Sequence, residues 1–284
     1  MNSESPESGY VWFNGEVQRA ADVRISPFDR GFLVGEGVFE TMAAHAGKVF
    51  AFDRHMRRLE RGCELLTIAV PDMDALSRGV TAVLEANDLT KVKARVRITV
   101  SGGAAPLGAH FESATPTIII AASPCTIPDG PAKLVSVPFT RNERGAMVGV
   151  KTCSYAENLV ALEVARNHGA DDAILCDSNG SVAEGAISNL FTVEHSVVVT
   201  PSLASGCLPG VTREIVLELC ADLGIEAREQ GISKDRFAAA DEVFITSSIR
   251  GVQAVGEVDG RSLDLHTESV TARLAEAYRS LIAG

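Results

Sequence analysis

Lys151 has the surroundings that most favour chemistry. It is the only charged side chain between Arg144 and Glu157, whereas the five other lysines have polar or turn-forming neighbours. An ammonium group in an uncharged stretch either reaches solvent or lies in a pocket where desolvation lowers its pKa. A lysine with a lowered pKa is a good Schiff-base nucleophile. A surface lysine at a strand end remains the alternative at this point.

Two further segments could bind other parts of a charged ligand. Residues 208–213 read Leu-Pro-Gly-Val-Thr-Arg just before an apolar helical pattern, and the first N–H groups of a helix bind phosphate. Glu184 has no charged neighbour up to Glu194, so its carboxylate needs a partner such as a protonated ring nitrogen. Each segment also has an ordinary interpretation, because many helices begin this way and many carboxylates cap backbone N–H groups.

The three features together indicate one ligand. A Schiff-base lysine, a phosphate-binding helix start and a carboxylate for a ring nitrogen match the aldehyde, phosphate and pyridine nitrogen of pyridoxal phosphate. This convergence predicts a pyridoxal 5'-phosphate site more strongly than any one feature does.

The elements that must position these residues fall into two groups. Before residue 124, hydrophobic periodicity and turn residues predict strands and amphipathic helices over 10–19, 38–52, 53–66, 72–87, 92–100 and 117–122, with Asp53 as a helix cap. After residue 131, strands and helices alternate over 134–138, 155–168, 173–176, 190–193, 197–200, 210–223, 241–246 and 265–282.

The segment between the groups is the best linker candidate. Residues 124–131 contain three prolines and one glycine, and 284 residues are enough for two cores. We therefore predict a smaller N-terminal α+β domain over 1–123, an interdomain linker over 124–131 and a larger C-terminal α/β domain over 132–284.

Composition excludes several classes of function. With 26 basic and 37 acidic residues the net charge is −11, which is unfavourable for binding nucleic acid or an anionic membrane. The apolar runs are far shorter than the roughly 20 residues of a membrane-spanning helix, and the first nine residues are polar, unlike a signal peptide. The six scattered cysteines predict free thiols, no metal site and a soluble cytoplasmic protein.

The sequence resembles the class IV (fold type IV) pyridoxal-phosphate enzymes: branched-chain and D-amino-acid aminotransferases and aminodeoxychorismate lyase. Eleven residues match the family signature in order and spacing: Glu184, Ala186, Asn189, Leu190, Phe191, Val198, Thr200, Leu208, Gly210, Val211 and Arg213. The resemblance extends to residues 12–15, 28–31, 35–41 and 240–246. It implies the two-domain, D-amino-acid aminotransferase-like fold, a homodimer, and a cofactor held between the domains.

The resemblance also implies roles for individual residues. The implied cofactor-binding residues are Arg58, Lys151, Glu184, Val211, Thr212, Ser248 and Tyr155. Lys151 would be the catalytic residue that forms the Schiff base and moves the proton, and Glu184 would keep the pyridine nitrogen protonated. Arg58, in a His-x-x-Arg-Leu motif, would bind phosphate, as would the helix start and Ser248. Tyr155 lies one residue out of step with a tyrosine that contacts the cofactor O3' in some members.

The implied substrate residues are Arg95, Thr41 and Val34. Arg95 matches a strand arginine of the branched-chain enzymes, although its alternation with Lys93 and Arg97 also fits a solvated strand face. Thr41 stands where branched-chain enzymes have glycine, and Val34 replaces an aromatic residue of their pocket. These departures from the branched-chain pattern leave the substrate open.

The expected activity is that of an aminotransferase, which passes an amino group from a small amino acid or amine to a 2-oxo acid through Lys151. The alternative enzyme is an aminodeoxychorismate lyase, which would release pyruvate and 4-aminobenzoate with the same lysine. A cofactor-binding protein that has lost catalysis is a third possibility, against which the intact Lys151 and Glu184 argue.

Overall fold

The chain forms two compact units in the computed structural model, which describes residues 8–108, 114–126 and 130–283. The first unit is Met1–Thr126 with Val150–Ser154, and the second is Ile127–Gly149 with Tyr155–Gly284. Val150–Ser154, which the sequence division placed in the second domain, therefore belongs to the first unit. Residues 127–129 of the predicted linker and residues 1–7 lie outside the described residues.

The first unit is built on an antiparallel sheet. Its strands are β1 (Tyr10–Phe13), β2 (Glu16–Arg19), β3 (Gly37–His45), β4 (Lys48–Val49), β5 (Ala94–Ser101) and β6 (Thr117–Pro124). They lie in the order β2-β1-β6-β5-β3-β4. The helices of this unit are α1 (Arg30–Val34), α2 (Phe52–Leu65) and α3 (Met73–Ala86).

The core of the first unit lies on one face of this sheet. The alternation in β5 buries Ala94, Val96, Ile98 and Val100 completely, as the sequence predicts. The apolar faces of α2 and α3 pack against these residues. Residues of opposite parity on β5, which include Arg95 and Arg97, point to the other face of the sheet.

The start of α2 differs from the sequence prediction. Asp53 does not cap the helix, because α2 begins at Phe52 and its N-cap is Ala51 in a left-handed conformation with φ 53°. Asp53 instead lies in the first turn, where a carboxylate interacts favourably with the helix dipole. Asp72, by contrast, caps α3 by accepting a hydrogen bond from the Asp74 N–H.

The second unit is built on a mixed sheet of nine strands. The strands are β7 (Ala132–Thr140), β8 (Asp172–Cys176), β9 (Val182–Gly185), β10 (Asn189–Glu194), β11 (Val197–Thr200), β12 (Ala227–Glu229), β13 (Glu242–Ser247), β14 (Gly251–Val258) and β15 (Arg261–Ser262). Their order is β12-β11-β10-β13-β14-β7-β8-β9, with β15 paired to β14. The pairs β11–β12, β14–β7 and β7–β8 are parallel and the others antiparallel.

The helices of the second unit are α4 (Ala156–Asn167), α5 (Val211–Asp222), α6 (Lys234–Ala238) and α7 (Val270–Ala283). The sequence reading placed the start of α7 too early, at 265, and missed β14, whose two glycines disfavour a strand on local grounds. Helices α5 and α7 pack against each other and on β13. None of the helices in the described ranges is long and apolar enough to cross a membrane.

Candidate active site

Lys151 is held beside the start of β3 by backbone hydrogen bonds. The Phe39 N–H donates to the Lys151 carbonyl at 2.9 Å, and the Cys153 N–H donates to the Gly37 carbonyl at 2.8 Å. Val150 packs against the core of the first unit, so the next side chain in this extended segment points the other way. The Lys151 Nζ accordingly lies 4.5 Å from the centroid of the Phe39 ring.

Two glycines allow the lysine segment to approach β3. A Cβ atom at Gly37 would lie 2.8 Å from the Val100 carbonyl oxygen and 3.1 Å from the Cys153 sulfur. Gly35 has φ 69° at the end of α1, a conformation that favours glycine, and its carbonyl accepts from the Ser154 hydroxyl at 3.2 Å. The family motif at residues 35–41 therefore positions Lys151 physically.

Arg97 shares the Phe39 ring with Lys151. Its guanidinium carbon lies 3.7 Å from the ring centroid, and its Nε donates to the Thr99 hydroxyl at 3.1 Å. With Lys151 Nζ at 4.5 Å from the same point, the two cationic groups are no more than about 8 Å apart. Such a pair could hold a small molecule that carries a carboxylate near an amine.

The two arginines of β5 lie at different places relative to the Phe39 ring, and it is Arg97, not the predicted Arg95, whose guanidinium contacts that ring. Arg95 lies opposite Ala43, whereas Arg97 lies opposite Thr41 in the β3–β5 pairing. The sequence could not separate these arginines because they alternate on one strand face. Pairing with Thr41 is what distinguishes Arg97 from Arg95 in the sheet. Thr41 is half-buried, and Val34, at the end of α1, is 69% exposed.

Arg58 belongs to a buried cluster with Glu40 and His55. Its Nε and Nη2 donate to the two carboxylate oxygens of Glu40, each at 2.7 Å. The His55 Nδ1 lies 2.7 Å from Glu40 Oε2. Glu40 comes from β3, while His55 and Arg58 are one turn apart on α2. The sequence identified Arg58 but not the carboxylate that holds it.

The cluster contains an ionised acid and a neutral imidazole. Burial raises the pKa of Glu40, but the charge and hydrogen bonds of Arg58 and the contact with His55 outweigh burial and lower it to about 2. Burial lowers the pKa of His55, and the charges of Arg58 and Lys151 lower it further. Glu40 raises this pKa but does not compensate for the other effects. A neutral His55 beside an ionised carboxylate must therefore donate from Nδ1.

Glu184, on β9 of the second unit, has a cationic partner that the sequence did not identify. Its Oε1 lies 3.0 Å from the Nε of Arg141, and its Oε2 accepts from the Leu208 N–H at 2.8 Å. The Arg141 N–H is not aligned for a hydrogen bond within the described residues, so the contact is ionic. Both carboxylate oxygens are thereby fixed in direction.

The start of α5 is tied to the same group of residues. The Leu208 carbonyl accepts from the Asn189 side-chain amide at 2.9 Å, while the Leu208 N–H donates to Glu184. Gly210 is the N-cap and provides no side-chain cap. A Cβ atom there would collide with the Asn189 amide oxygen. The first turn of α5, at Val211 and Thr212, therefore keeps the character of an anion-binding helix start.

Two threonines and a serine lie in the same unit. The buried Thr212 hydroxyl is 3.4 Å from the Tyr278 hydroxyl of α7. Thr246 pairs with Asn189 across β10 and β13, and its buried hydroxyl has no hydrogen-bond partner within the described ranges. Ser248 follows in the turn after β13. The sequence reading named Thr212 and Ser248 as ligands but did not name Thr246.

Two other predicted or signature residues have local partners. The Tyr155 hydroxyl, at the start of α4, donates to the Ala186 carbonyl at 3.2 Å. Arg213, the basic end of the signature, donates to the Pro201 carbonyl at 2.9 Å and to Glu229 at 2.6 Å. Arg213 therefore fixes the loop before α5.

The donor set fits the cofactor that the sequence suggests. The first unit supplies a primary amine and an oriented guanidinium. The second supplies a carboxylate, an uncapped helix start and a buried hydroxyl without a partner among the described residues. Each group suits a different part of pyridoxal phosphate.

Comparison with known proteins supports the same conclusion. The profile of amino-transferase class IV matches residues 37–258. The chain is 32% identical over 293 residues to the branched-chain-amino-acid aminotransferase of Escherichia coli (strain K12), covering 98% of this chain and 94% of that one. It is 31% identical to the aminodeoxychorismate lyase of Bacillus subtilis (strain 168), with coverage of 96% and 94%.

A solved structure is also similar. The branched-chain aminotransferase of the thermophilic archaeon Thermoproteus uzoniensis, crystallised with norvaline, has a TM-score of 0.91 and 28% identity. The match covers 97% of this chain and 95% of that chain. The predicted fold type IV architecture is thereby confirmed.

Proposed function

The chain belongs to the class IV aminotransferases, which are pyridoxal-phosphate-dependent enzymes, and we propose that it transfers the amino group of a small amino acid to a 2-oxo acid. The observation that carries this proposal is the placement of Lys151 and Arg97 over the ring of Phe39. The amine would act at the α-carbon, and the guanidinium would bind the substrate carboxylate.

The cofactor would be held by residues of both units. Pyridoxal phosphate supplies an aldehyde for a covalent bond to an amine and a ring that accepts electrons. Lys151 would form the covalent bond, and Glu184, already oriented by Leu208 and Arg141, would hold the proton on the ring nitrogen. The phosphate ligands would be Arg58, the N–H groups at Val211 and Thr212, and the Ser248 hydroxyl. Tyr155 would contact the ring hydroxyl.

Lys151 would also move the proton of the reaction. With its amine free, Lys151 would take the α-proton of the substrate as a general base and return it, as a general acid, to the carbon that carries the cofactor's aldehyde. The Phe39 ring favours positions of the ammonium over its face. This contact would keep the Lys151 ammonium close to the Phe39 ring, with the Arg97 guanidinium near the same ring.

The donor is proposed to be an aliphatic amino acid. The relative from Escherichia coli is named for branched-chain amino acids, and the Arg97 position favours a donor with a carboxylate over a simple amine. We further propose that the protein is a homodimer and cytoplasmic.

The second candidate is aminodeoxychorismate lyase. It is favoured by the similarity to the Bacillus subtilis lyase and by Thr41, which faces Arg97 across β3 and β5. A lyase would release pyruvate without a 2-oxo acid acceptor, so pyruvate formation from aminodeoxychorismate separates the two activities.

A donor panel tests the proposal. Purified protein with pyridoxal phosphate should show the visible absorption band of lysine-bound cofactor, and L- and D-amino acids should be scored for amino transfer to 2-oxo acids. Lys151→Ala should abolish the band and the activity, because no other amine would be in place. Lys133→Ala is the control, since Lys133 pairs with Glu257 on the second unit and should leave both intact.

Two results would contradict the proposal. Borohydride could still fix cofactor to the Lys151→Ala protein, which would mean that another lysine forms the bond. Alternatively, pyruvate could form catalytically from aminodeoxychorismate while no donor transfers its amino group.

A further inference from the structure

We propose that Glu40 is a positioning residue for the cofactor phosphate: it sets the orientation of the Arg58 guanidinium, and His55 in turn holds Glu40. The inference rests on the proposed function, because it takes Arg58 as a phosphate ligand. Neither Glu40 nor His55 would touch the cofactor; both would act through Arg58.

The first argument is the geometry of the pair. Arg58 donates through Nε and Nη2 to the two oxygens of Glu40 at 2.7 Å each. Two parallel bonds fix the plane of a guanidinium, whereas one bond would leave it free to turn. The Nε–Nη2 edge of Arg58 is thereby directed at Glu40, and the orientation of the remaining guanidinium N–H groups is fixed.

The second argument is burial. Glu40 is fully buried, His55 is almost fully buried, and the Arg58 side chain is 10% exposed. A buried ion pair gives little net stability, since apolar residues of similar size often serve as well. Three polar side chains inside the first unit are therefore better explained by a demand for orientation than by stability.

The third argument is the position of Glu40 on β3. It follows Phe39 directly, and successive side chains of a strand point to opposite faces. One face presents the Phe39 ring to Lys151 and Arg97, while the other presents the Glu40 carboxylate to α2. Strand β3 thus positions the Phe39 ring beside Lys151 and Arg97, and it positions Glu40 beside Arg58.

The charge of Glu40 and its orienting effect on Arg58 should influence phosphate binding in opposite directions. A negative Glu40 would repel a phosphate, so removing its charge could strengthen binding. The charge is, however, already compensated by Arg58 within hydrogen-bond distance, so its field beyond the pair is weak. Loss of orientation should therefore dominate the effect of substitution.

Glu40→Asp tests orientation without removing charge, because it withdraws the carboxylate by one methylene group. The apoenzyme is titrated with pyridoxal phosphate and with pyridoxal, which has the same aldehyde and no phosphate, following the visible band. The measured quantity is the affinity for pyridoxal phosphate divided by the affinity for pyridoxal. We expect this ratio to fall about tenfold, as for loss of a charged hydrogen bond. The affinity for pyridoxal should stay within about twofold of wild type.

Two further variants keep the test decisive. Glu64→Asp shortens an exposed carboxylate of α2 and should leave the ratio unchanged. His55→Phe keeps the ring but removes the donor to Glu40, and should lower the ratio about threefold even if Glu40→Asp folds poorly. Glu40→Gln keeps the length of the side chain but removes its charge, and it should also lower the ratio.

Several outcomes would overturn the inference. An unchanged ratio in Glu40→Asp, an equal loss of both ligands, or a higher ratio in Glu40→Gln would each exclude a positioning role. A wild-type enzyme that binds both ligands equally would refute Arg58 as a phosphate ligand, and the inference with it. A wild-type protein that shows no band with either ligand would refute the proposed function itself.

Discussion

Phe39 organises the reacting face of the first unit, because both the Lys151 ammonium and the Arg97 guanidinium contact its ring. The sequence singles out Lys151 and Glu184, since each is a lone charge in an uncharged stretch, and Glu184 also opens the family signature. It does not predict Arg97, because only the register of β5 on β3 shows which arginine faces Thr41. It also does not predict Glu40 as a partner of Arg58, since that contact is made between residues 18 positions apart.

Arg97→Gln should lower kcat/KM for amino-acid donors about a hundredfold, because a bidentate contact with the substrate carboxylate is lost. A simple primary amine, which has no carboxylate, should lose much less. Steady-state kinetics with both donors measure the effect, and the cofactor band should be unchanged. Arg95→Gln serves as the control and should stay within about threefold of wild type. A larger loss in Arg95→Gln than in Arg97→Gln would reverse the assignment.

At the scale of elements, one residue before α5, Leu208, links this helix to β9 and β10. Leu208 donates to Glu184 and accepts from Asn189, so the carboxylate proposed for the ring nitrogen and the helix start proposed for the phosphate are coupled. The sequence predicts the helix from its apolar pattern and its glycine. It does not predict this coupling, because the three elements meet only through the sheet.

Gly210→Ala should weaken the binding of pyridoxal phosphate at least tenfold, because the added methyl group would displace Asn189 or the first turn of α5. Titration of the apoenzyme followed by the visible band measures this change. Gly231→Ala is a matched control, since a Cβ at Gly231 meets no atom within 4 Å. Wild-type affinity in Gly210→Ala would show that the helix start does not bind the phosphate.

At the scale of the whole molecule, α1 presents apolar side chains to solvent. Phe32 is 78% exposed and Val34 69% exposed, with Leu33 exposed between them. Contiguous exposed apolar residues mark interaction surfaces, and the proposed occupant is a second copy of the chain. The sequence predicts two domains from length and from the proline-rich stretch, but not α1, since five residues are too few for a helical pattern.

The wild-type protein should sediment with the mass of a dimer, and Phe32→Glu should shift it toward the monomer, because a charge would be buried at the interface. Sedimentation velocity at several concentrations measures the shift. Leu281→Glu, at an exposed position of α7, is the control and should remain dimeric. A monomeric wild type, or equal shifts in the two variants, would contradict the assignment of α1 to the interface.

The first unit is discontinuous in the chain, because Val150–Ser154 is separated from Met1–Thr126 by part of the second unit. During synthesis, the ribosome must therefore pass residue 154 before the sheet of the first unit can receive its last extended segment. A gene fragment that stops after residue 126 would encode all six strands of this sheet but would lack Lys151. The two units can consequently be neither exchanged nor expressed as simple contiguous modules, and any split of the gene must respect two junctions as well as the linker.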